Sequence, residues 1–353
     1  MNTTYREDKK YTEQNKQTYC NGLGAIMRQR MREAKPIREE YFKDVVSNQE
    51  KYRQELREML GWPLVGYTSE RETAVSFEKL SDEEDFTLYR AEFEILEGLK
   101  LSGLFFKMKG EGKKPLVIVQ HGKSGTPEIM SGVLGSTWNY NDMTMRVAGQ
   151  DVHVFAPQLL LWDIAQYGAP YDRTTLDAAL KRTGSSIAAI ELFEISGIID
   201  YFEKQDYVST IGMVGLSYGG FYTLYATALD TRIKSAISCS FFATRDACNW
   251  SDWVWQNSAY KFDDAEVACL VYPRNICLQM GTRDELFRSQ FSEESYEKIK
   301  AYCKDVGVDW CQLVLFDGKH EFCLDDAPVE RLVNDLKASE EDSVKVTSHL
   351  AVI

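Results

Sequence analysis

Gly215-Leu216-Ser217-Tyr218-Gly219-Gly220 follows the short apolar run Ile211–Val214 and precedes Phe221–Leu229, whose composition reads as helix. A serine flanked by glycines where a buried strand meets a helix is the pattern of a nucleophile elbow. The chain has to turn sharply there, which strains the serine backbone and lifts its hydroxyl to the top of a sheet. The flanking glycines keep Cβ atoms out of the space where strand and helix cross. Five matching letters also arise by chance, so the reading depends on what lies around them.

Downstream, apolar runs alternate with helical patterns, as a mostly parallel sheet requires. Strands are predicted at Ile233–Ser240, Asn275–Met280 and Trp310–Phe316, with a closing helix over Asp326–Lys337. Upstream, Leu116–Val119 and Val152–Pro157 read as strands, and Ser185–Lys204 as a long helix capped by Ser185 or Ser186. Further back the period changes to two: Ala74–Glu78, Phe86–Ile95 and Leu101–Met108 alternate apolar with polar residues, as antiparallel edge strands do. The expected fold is α/β, a mostly parallel sheet flanked by helices. It carries an N-terminal helical extension (1–65) ahead of a catalytic domain (66–345). In the extension, residues 1–15 read as a polar tail, Pro36 as starting or breaking a helix, and Tyr52–Leu60 as a further helix. The extension is expected to pack on the core, or else to cover the site or join copies into a homo-oligomer.

Two intervals exceed the minimal alternation, 158–183 and 241–273. Both follow the C-terminal ends of predicted strands, where open α/β sheets bind ligands. The first contains Trp162; the second holds Trp250, Trp253 and Trp255. The tryptophans are candidates for lining a substrate pocket, with plain packing of a cap as the competing role.

Composition excludes several classes. The chain has 353 residues, 44% hydrophobic, with 54 acidic against 41 basic side chains and a net charge of −13. No basic block or stripe is present, so a nucleic-acid partner is not expected. The most apolar stretch, Ser185–Ile199, is interrupted by Glu191 and Glu194 and is too short to span a bilayer. The polar stretch Met1–Lys16 lacks the apolar centre of a secretion signal, so a cytoplasmic protein is the expectation. None of the eight cysteines forms a C-x-x-C pair or sits at zinc-ligand spacing with a histidine, and no phosphate-binding glycine loop occurs. The cysteines read as reduced small core residues. Neither a metal nor a cofactor is expected.

A serine hydroxyl is a poor nucleophile at neutral pH and needs a base. Of the four histidines, His320 lies in Phe316-Asp317-Gly318-Lys319-His320-Glu321-Phe322, a turn directly after the last predicted strand. Its orienting carboxylate should follow the preceding strand, which places Asp284 of Gly281-Thr282-Arg283-Asp284 in the role; Glu285 and Asp317 are the neighbouring alternatives. The order Ser217, Asp284, His320 matches the triad order of an elbow enzyme. An oxyanion hole would take one backbone N–H from Tyr218 and another from Lys123, in the loop Gln120-His121-Gly122-Lys123-Ser124-Gly125. His121 is expected to support that loop, His153 to be structural and His349 to be uninvolved.

Val117–Gly122, Gly215–Gly220, Gly281–Asp284 and Gly318–Phe322 together resemble the α/β-hydrolase superfamily across residues 70–340. Within it the chain resembles the dienelactone-hydrolase-like and acetyl-xylan-esterase-like branch, which adjoins the prolyl-oligopeptidase-type peptidases. The resemblance implies a serine hydrolase acting on small-molecule carboxylic esters with small acyl groups such as acetyl, through an acyl-enzyme. Gln158–Asp163 departs from the Arg-Gly-x-Gly segment that deacetylases of the branch often carry after the fourth strand. A peptidase or amidase is the alternative, although the chain is too short to add the large propeller of those enzymes. Dienelactone hydrolysis would ordinarily use a cysteine where Ser217 stands. A binding protein on a degenerate hydrolase fold would not need all three of Ser217, Asp284 and His320.

Overall fold

The computed structural model describes residues 4–68, 73–161, 172–247 and 250–350, the stretch 341–350 by its backbone alone. The period-two segments form β1 (Ala74–Asp82), β2 (Phe86–Glu94) and β3 (Lys100–Met108), which pair antiparallel. The continuous apolar runs form β4 (Lys114–Gln120), β5 (His153–Pro157), β6 (Val208–Leu216), β7 (Ile233–Cys239), β8 (Asn275–Gly281) and β9 (Cys311–Phe316). Among the described residues all nine join one sheet in the order β1-β2-β3-β5-β4-β6-β7-β8-β9. From β5 to β9 neighbouring strands are parallel, and β3 meets β5 antiparallel.

Helices cover both faces. α1 (Lys9–Tyr41) and α2 (Gln49–Leu60) precede the sheet; α3 (Pro127–Met130) and α4 (Met143–Ala148) follow β4. α5 (Arg173–Lys181) and α6 (Ile187–Phe202) lie between β5 and β6, and α7 (Tyr218–Leu229) leaves β6 directly. α8 (Asp264–Cys269), α9 (Ser289–Tyr302) and α10 (Ala327–Leu350) follow β7, β8 and β9. Alternate side chains of one strand therefore enter different cores. Leu116 and Ile118 of β4 pack with α2, α6 and α7, whereas Val117 and Val119 pack with α3, α4 and α10. Burial on both faces is what an unbroken apolar strand requires. This is the α/β-hydrolase fold.

The extension differs from the sequence expectation in two ways. Residues 9–15, read as part of a polar tail, belong to α1, whose start is capped by Asp8 accepting the Lys10 N–H. Pro36 neither starts nor breaks that helix; it lies inside it. The missing proline N–H costs one intrahelical bond, and the packing on either side of it holds the helix in place. Ala34 and Arg38, two residues before and after, are the buried residues of α1. Arg38 donates to the Ala259 carbonyl at 2.8 Å and ion-pairs with Asp263 and Glu266 at 3.4 and 3.3 Å. Nearer its start, α1 exposes Tyr19, Leu23, Ile26 and Met27.

α2 buries Tyr52, Leu56 and Leu60, while Arg53 and Arg57 donate to the carbonyls of Ala228 and Leu229 at the C-terminal end of α7. At ~1.5 Å per helical residue, that contact is roughly 16 Å along α7 from the elbow. The closing helix, predicted to end at Lys337, continues to Leu350. Among the described residues no helix is long and apolar enough to cross a membrane.

Candidate active site

β6 ends in the elbow. Ser217 stands at the N-cap of α7 with φ 61° and ψ −118°, a conformation rarely adopted outside glycine. Its N–H is spent on the Cys239 carbonyl at 2.9 Å, tying the elbow to the end of β7. Close approach explains the neighbouring glycines. A Cβ on Gly219 would stand 2.0 Å from the Gln120 carbonyl oxygen, and one on Gly122 would stand 3.1 Å from the Ser217 Cβ. The loop after β4 thus lies directly against the serine.

Asp284 and His320 come from the loops after β8 and β9. Asp284 is buried, and its Oδ1 accepts the N–H groups of Leu286 at 2.8 Å and Phe287 at 3.0 Å. That leaves Oδ2 for His320 Nδ1, 2.8 Å away. The alternative carboxylates lie elsewhere: Asp317 pairs with Arg283 at the surface, and Glu285 is exposed. The His320 loop is fastened from the segment after α3, where Asn139 Nδ2 donates to the His320 carbonyl and the Phe322 N–H donates to the Asn139 carbonyl, each at 2.9 Å. The imidazole stacks on Phe287 with centroids 5.6 Å apart.

Two contact chains connect the His320 loop to the elbow. Cys239, whose carbonyl holds Ser217, places its thiol 3.3 Å from the Glu321 carbonyl. On the aromatic side, Tyr218 stacks on Trp250 at 5.4 Å and Trp250 meets Phe287 at 6.0 Å. Among the described residues Ser217 Oγ has no hydrogen-bond partner, so the link from serine to imidazole is open in this structure. Such bonds often close only when a substrate is bound.

The loop after β4 is shaped by His121. Burial pushes this imidazole down to about 4, so it is neutral at pH 7. Its Nε2 accepts from the Leu159 N–H at 3.2 Å while Nδ1 lies 2.9 Å from the Gly122 carbonyl, which fixes the proton on Nδ1. Tyr140 Oη accepts the Gly122 N–H at 2.9 Å, and the Ser124 N–H donates to the Leu161 carbonyl at 2.7 Å. Among the described residues the N–H groups of Lys123 and Tyr218 have no partner. For Tyr218 this follows from its place in the first turn of α7.

Of the tryptophans, Trp253 and Trp255 are buried and fill the core between α7 and the loop after β7, and Trp250 is half-buried. Trp162 lies outside the described residues. Among the described residues no cluster of histidine, cysteine or carboxylate side chains could hold a metal ion.

Sequence reading missed a buried charge network beside the elbow. Arg173 Nη1 reaches both oxygens of Glu191 and the Leu160 carbonyl, its Nε reaches Asp252 at 2.6 Å, and its Nη2 reaches Tyr222 Oη at 2.6 Å. Tyr218 Oη donates to the same Asp252 carboxylate at 2.9 Å, and the guanidinium lies over the Tyr218 ring. Burial would discharge Arg173, but the fields of Glu191, Tyr222 and Asp252 outweigh it and raise its pKa. The clamp joins the loop after β5, α6, α7 and the loop after β7. The signal for it in the sequence was Glu191, which with Glu194 interrupts the apolar stretch Ser185–Ile199.

The arrangement is an α/β-hydrolase fold, and the comparisons with known proteins bear on that fold. No protein-family model matches the chain, and no curated protein matches it by sequence. Solved structures do share its fold. A protein assigned as an acetyl xylan esterase in Bacteroides fragilis superposes with TM-score 0.62 at 16% identity, covering 76% of this chain and 74% of that one. Glucuronoyl esterase from Solibacter usitatus gives 0.62 at 14% identity, with 84% and 94% covered. Acetyl xylan esterase 1 from Thermoanaerobacterium gives 0.57 at 15% identity, with 82% and 93% covered.

Proposed function

We propose that the protein is a serine hydrolase of carboxylic esters, acting on small acyl groups such as acetyl carried by a larger alcohol. The observation that carries this reading is the hydrogen bond at 2.8 Å between the buried Asp284 and the partly buried His320, held on the loops next to a serine in an elbow conformation. The esterase names of the structures sharing the fold favour an ester substrate. Ser217 Oγ attacks the carbonyl carbon as its proton passes to His320 Nε2. Asp284 accepts the Nδ1 proton in a hydrogen bond and stabilises the imidazolium. The carbonyl oxygen becomes an oxyanion received by the Lys123 and Tyr218 N–H groups. Collapse breaks the bond to the alcohol oxygen, which takes the proton from Nε2. Water, deprotonated by His320, then releases the acid and restores the serine hydroxyl. In this reading Trp250 and Phe287 wall the side of the site next to the imidazole.

The test measures hydrolysis of p-nitrophenyl acetate beside an aminoacyl-p-nitroanilide, for the native chain and for Ser217→Ala. We expect ester turnover in preference to anilide turnover, stoichiometric labelling of the native chain by a fluorophosphonate, and loss of both labelling and turnover in the variant. Near-native ester hydrolysis by Ser217→Ala would refute the assignment. Preferential anilide cleavage would move it to the amidases.

A further inference from the structure

A second cavity, of about 380 Å³, opens between the sheet and α5–α6, and its walls include none of Ser217, Asp284 and His320. Three elements build it. Leu101 of β3 and Leu159 of the loop after β5 form one side. Leu176 and Leu180, one turn apart on α5, form the second. Ile187, Ile190 and Glu194, on one face of α6, form the third. The lining is thus aliphatic except at its rim and at two acids.

The two acids differ. Glu191 is saturated by Arg173 and by the Leu160 N–H at 2.9 Å. Glu194, one turn later, is only 4% exposed, and its Oε1 is buried without a hydrogen-bond partner among the described residues. A buried polar atom left unpaired costs about 1–3 kcal/mol, so an unpaired one facing an aliphatic cavity marks a place for a ligand atom. Burial, reinforced by the nearby Glu191 charge, pushes the Glu194 carboxyl up to about 8, so it is mostly protonated at neutral pH and has an O–H to donate. Lys100 is paired with Glu92 at 2.8 Å, which leaves no free cation among the described lining residues to receive an anionic head group. Cavities of this size accept whole small molecules.

We propose that this cavity is a second binding site, separate from the elbow, for a small uncharged aliphatic molecule with one hydroxyl or carbonyl oxygen that bonds to Glu194. The chain would be enclosed by Leu176, Leu180 and Ile190, and the oxygen would meet the carboxyl deep in the pocket.

The site is tested by calorimetric titration of 1-octanol, with octylammonium and octanoate as charged comparisons. Ser217→Ala serves as a second background, so the result does not depend on catalysis. We expect saturable binding of one octanol per chain, equal in both backgrounds and at least tenfold tighter than that of either charged analogue. Filling the cavity by Leu176→Trp or Leu180→Trp, on the partly exposed α5, should weaken octanol at least tenfold with circular dichroism unchanged. Glu194→Leu should weaken it about fivefold, the value of one hydrogen bond. Absence of saturable binding, indifference to both filling variants, no effect of Glu194→Leu, or tighter binding of a charged analogue would overturn the proposal.

Discussion

Asp284→Asn isolates the electrostatic part of the proposed relay because the surrounding backbone dictates how the amide must sit. Oδ1 of Asp284 accepts two N–H groups, from Leu286 and Phe287, at 2.8 and 3.0 Å. An NH₂ placed there would face two donors, so the asparagine oxygen takes that position. The amide NH₂ then points at His320 Nδ1, where Oδ2 stood at 2.8 Å. Meeting a donor, Nδ1 has to accept, which moves the imidazole proton to Nε2 and leaves no lone pair for the Ser217 proton. Wrong-tautomer substitutions of this kind cost about 10⁴ in kcat, equivalent to ~5.5 kcal/mol of barrier at ~1.36 kcal/mol per factor of ten. Shape and backbone bonds are kept, so the unfolding midpoint should move little. The assay is kcat on p-nitrophenyl acetate, with circular dichroism and urea unfolding as the control on folding. An Asn variant within tenfold of native kcat would refute the orientation argument, and so would a loss of activity that merely tracks a loss of folded protein.

Three more outcomes are expected. Glu194 has its pKa raised from 4.5 to about 8 by burial and then by Glu191. The folded chain keeps a proton that the unfolded chain releases, so the group's contribution is full below pH 4.5 and is lost as pH rises toward 8. At ~1.36 kcal/mol for each tenfold difference in proton affinity between folded and unfolded chain, the stability of the native chain relative to Glu194→Gln should fall by on the order of 4 kcal/mol across that window in urea unfolding; a flat difference would contradict it. Arg38→Met should cost about 3–5 kcal/mol because it removes the guanidinium shared by buried Asp263 and Glu266, leaving Lys298 at 3.8 Å as the cation beside Asp263, and a loss below ~1 kcal/mol in the same assay would show that α1 is held by other contacts. Gly219→Ala should destabilise by about 1–3 kcal/mol or more and abolish ester turnover, since its methyl would press on the Gln120 carbonyl at 2.0 Å; a fully active, equally stable variant would exclude the tight elbow packing.

Strands were legible because burial writes them directly into the sequence. β4 and β6 need apolar side chains on both faces, and β1, at the edge of the sheet, is largely exposed. Asp284, His320 and Ser217 could be put forward together because each follows a strand, and the order of strands in the chain predicts which loops share an edge. Pro36 misled, since local propensity says nothing of the Arg38 anchor, whose partners lie more than two hundred residues away. The Arg173 network, hinted at only by Glu191, was missed for the same reason. Its side-chain partners Glu191, Tyr222 and Asp252 sit on separate segments, and no spacing rule links them. The tryptophans near residue 250 lie in and around one 3-10 turn, Ser251–Trp253, too short for a period to tell the half-buried Trp250 from the buried Trp253 and Trp255.

The Arg173 clamp also bears on how a hydrolase of the proposed kind could change its substrate. The loops after β5 and β7 are the natural places to remodel specificity, because the proposed acid–base residues ride on other strands. Yet Asp252 on one loop and Leu160 on the other share a single guanidinium with Glu191, and Asp252 also holds the phenol of Tyr218, the residue after Ser217. Replacing the loop after β7 alone would take Asp252 from the buried guanidinium, and reshaping the loop after β5 alone would take away the Leu160 carbonyl it donates to. Divergence here should proceed by paired replacement, with both loops and the arginine inherited as one cassette.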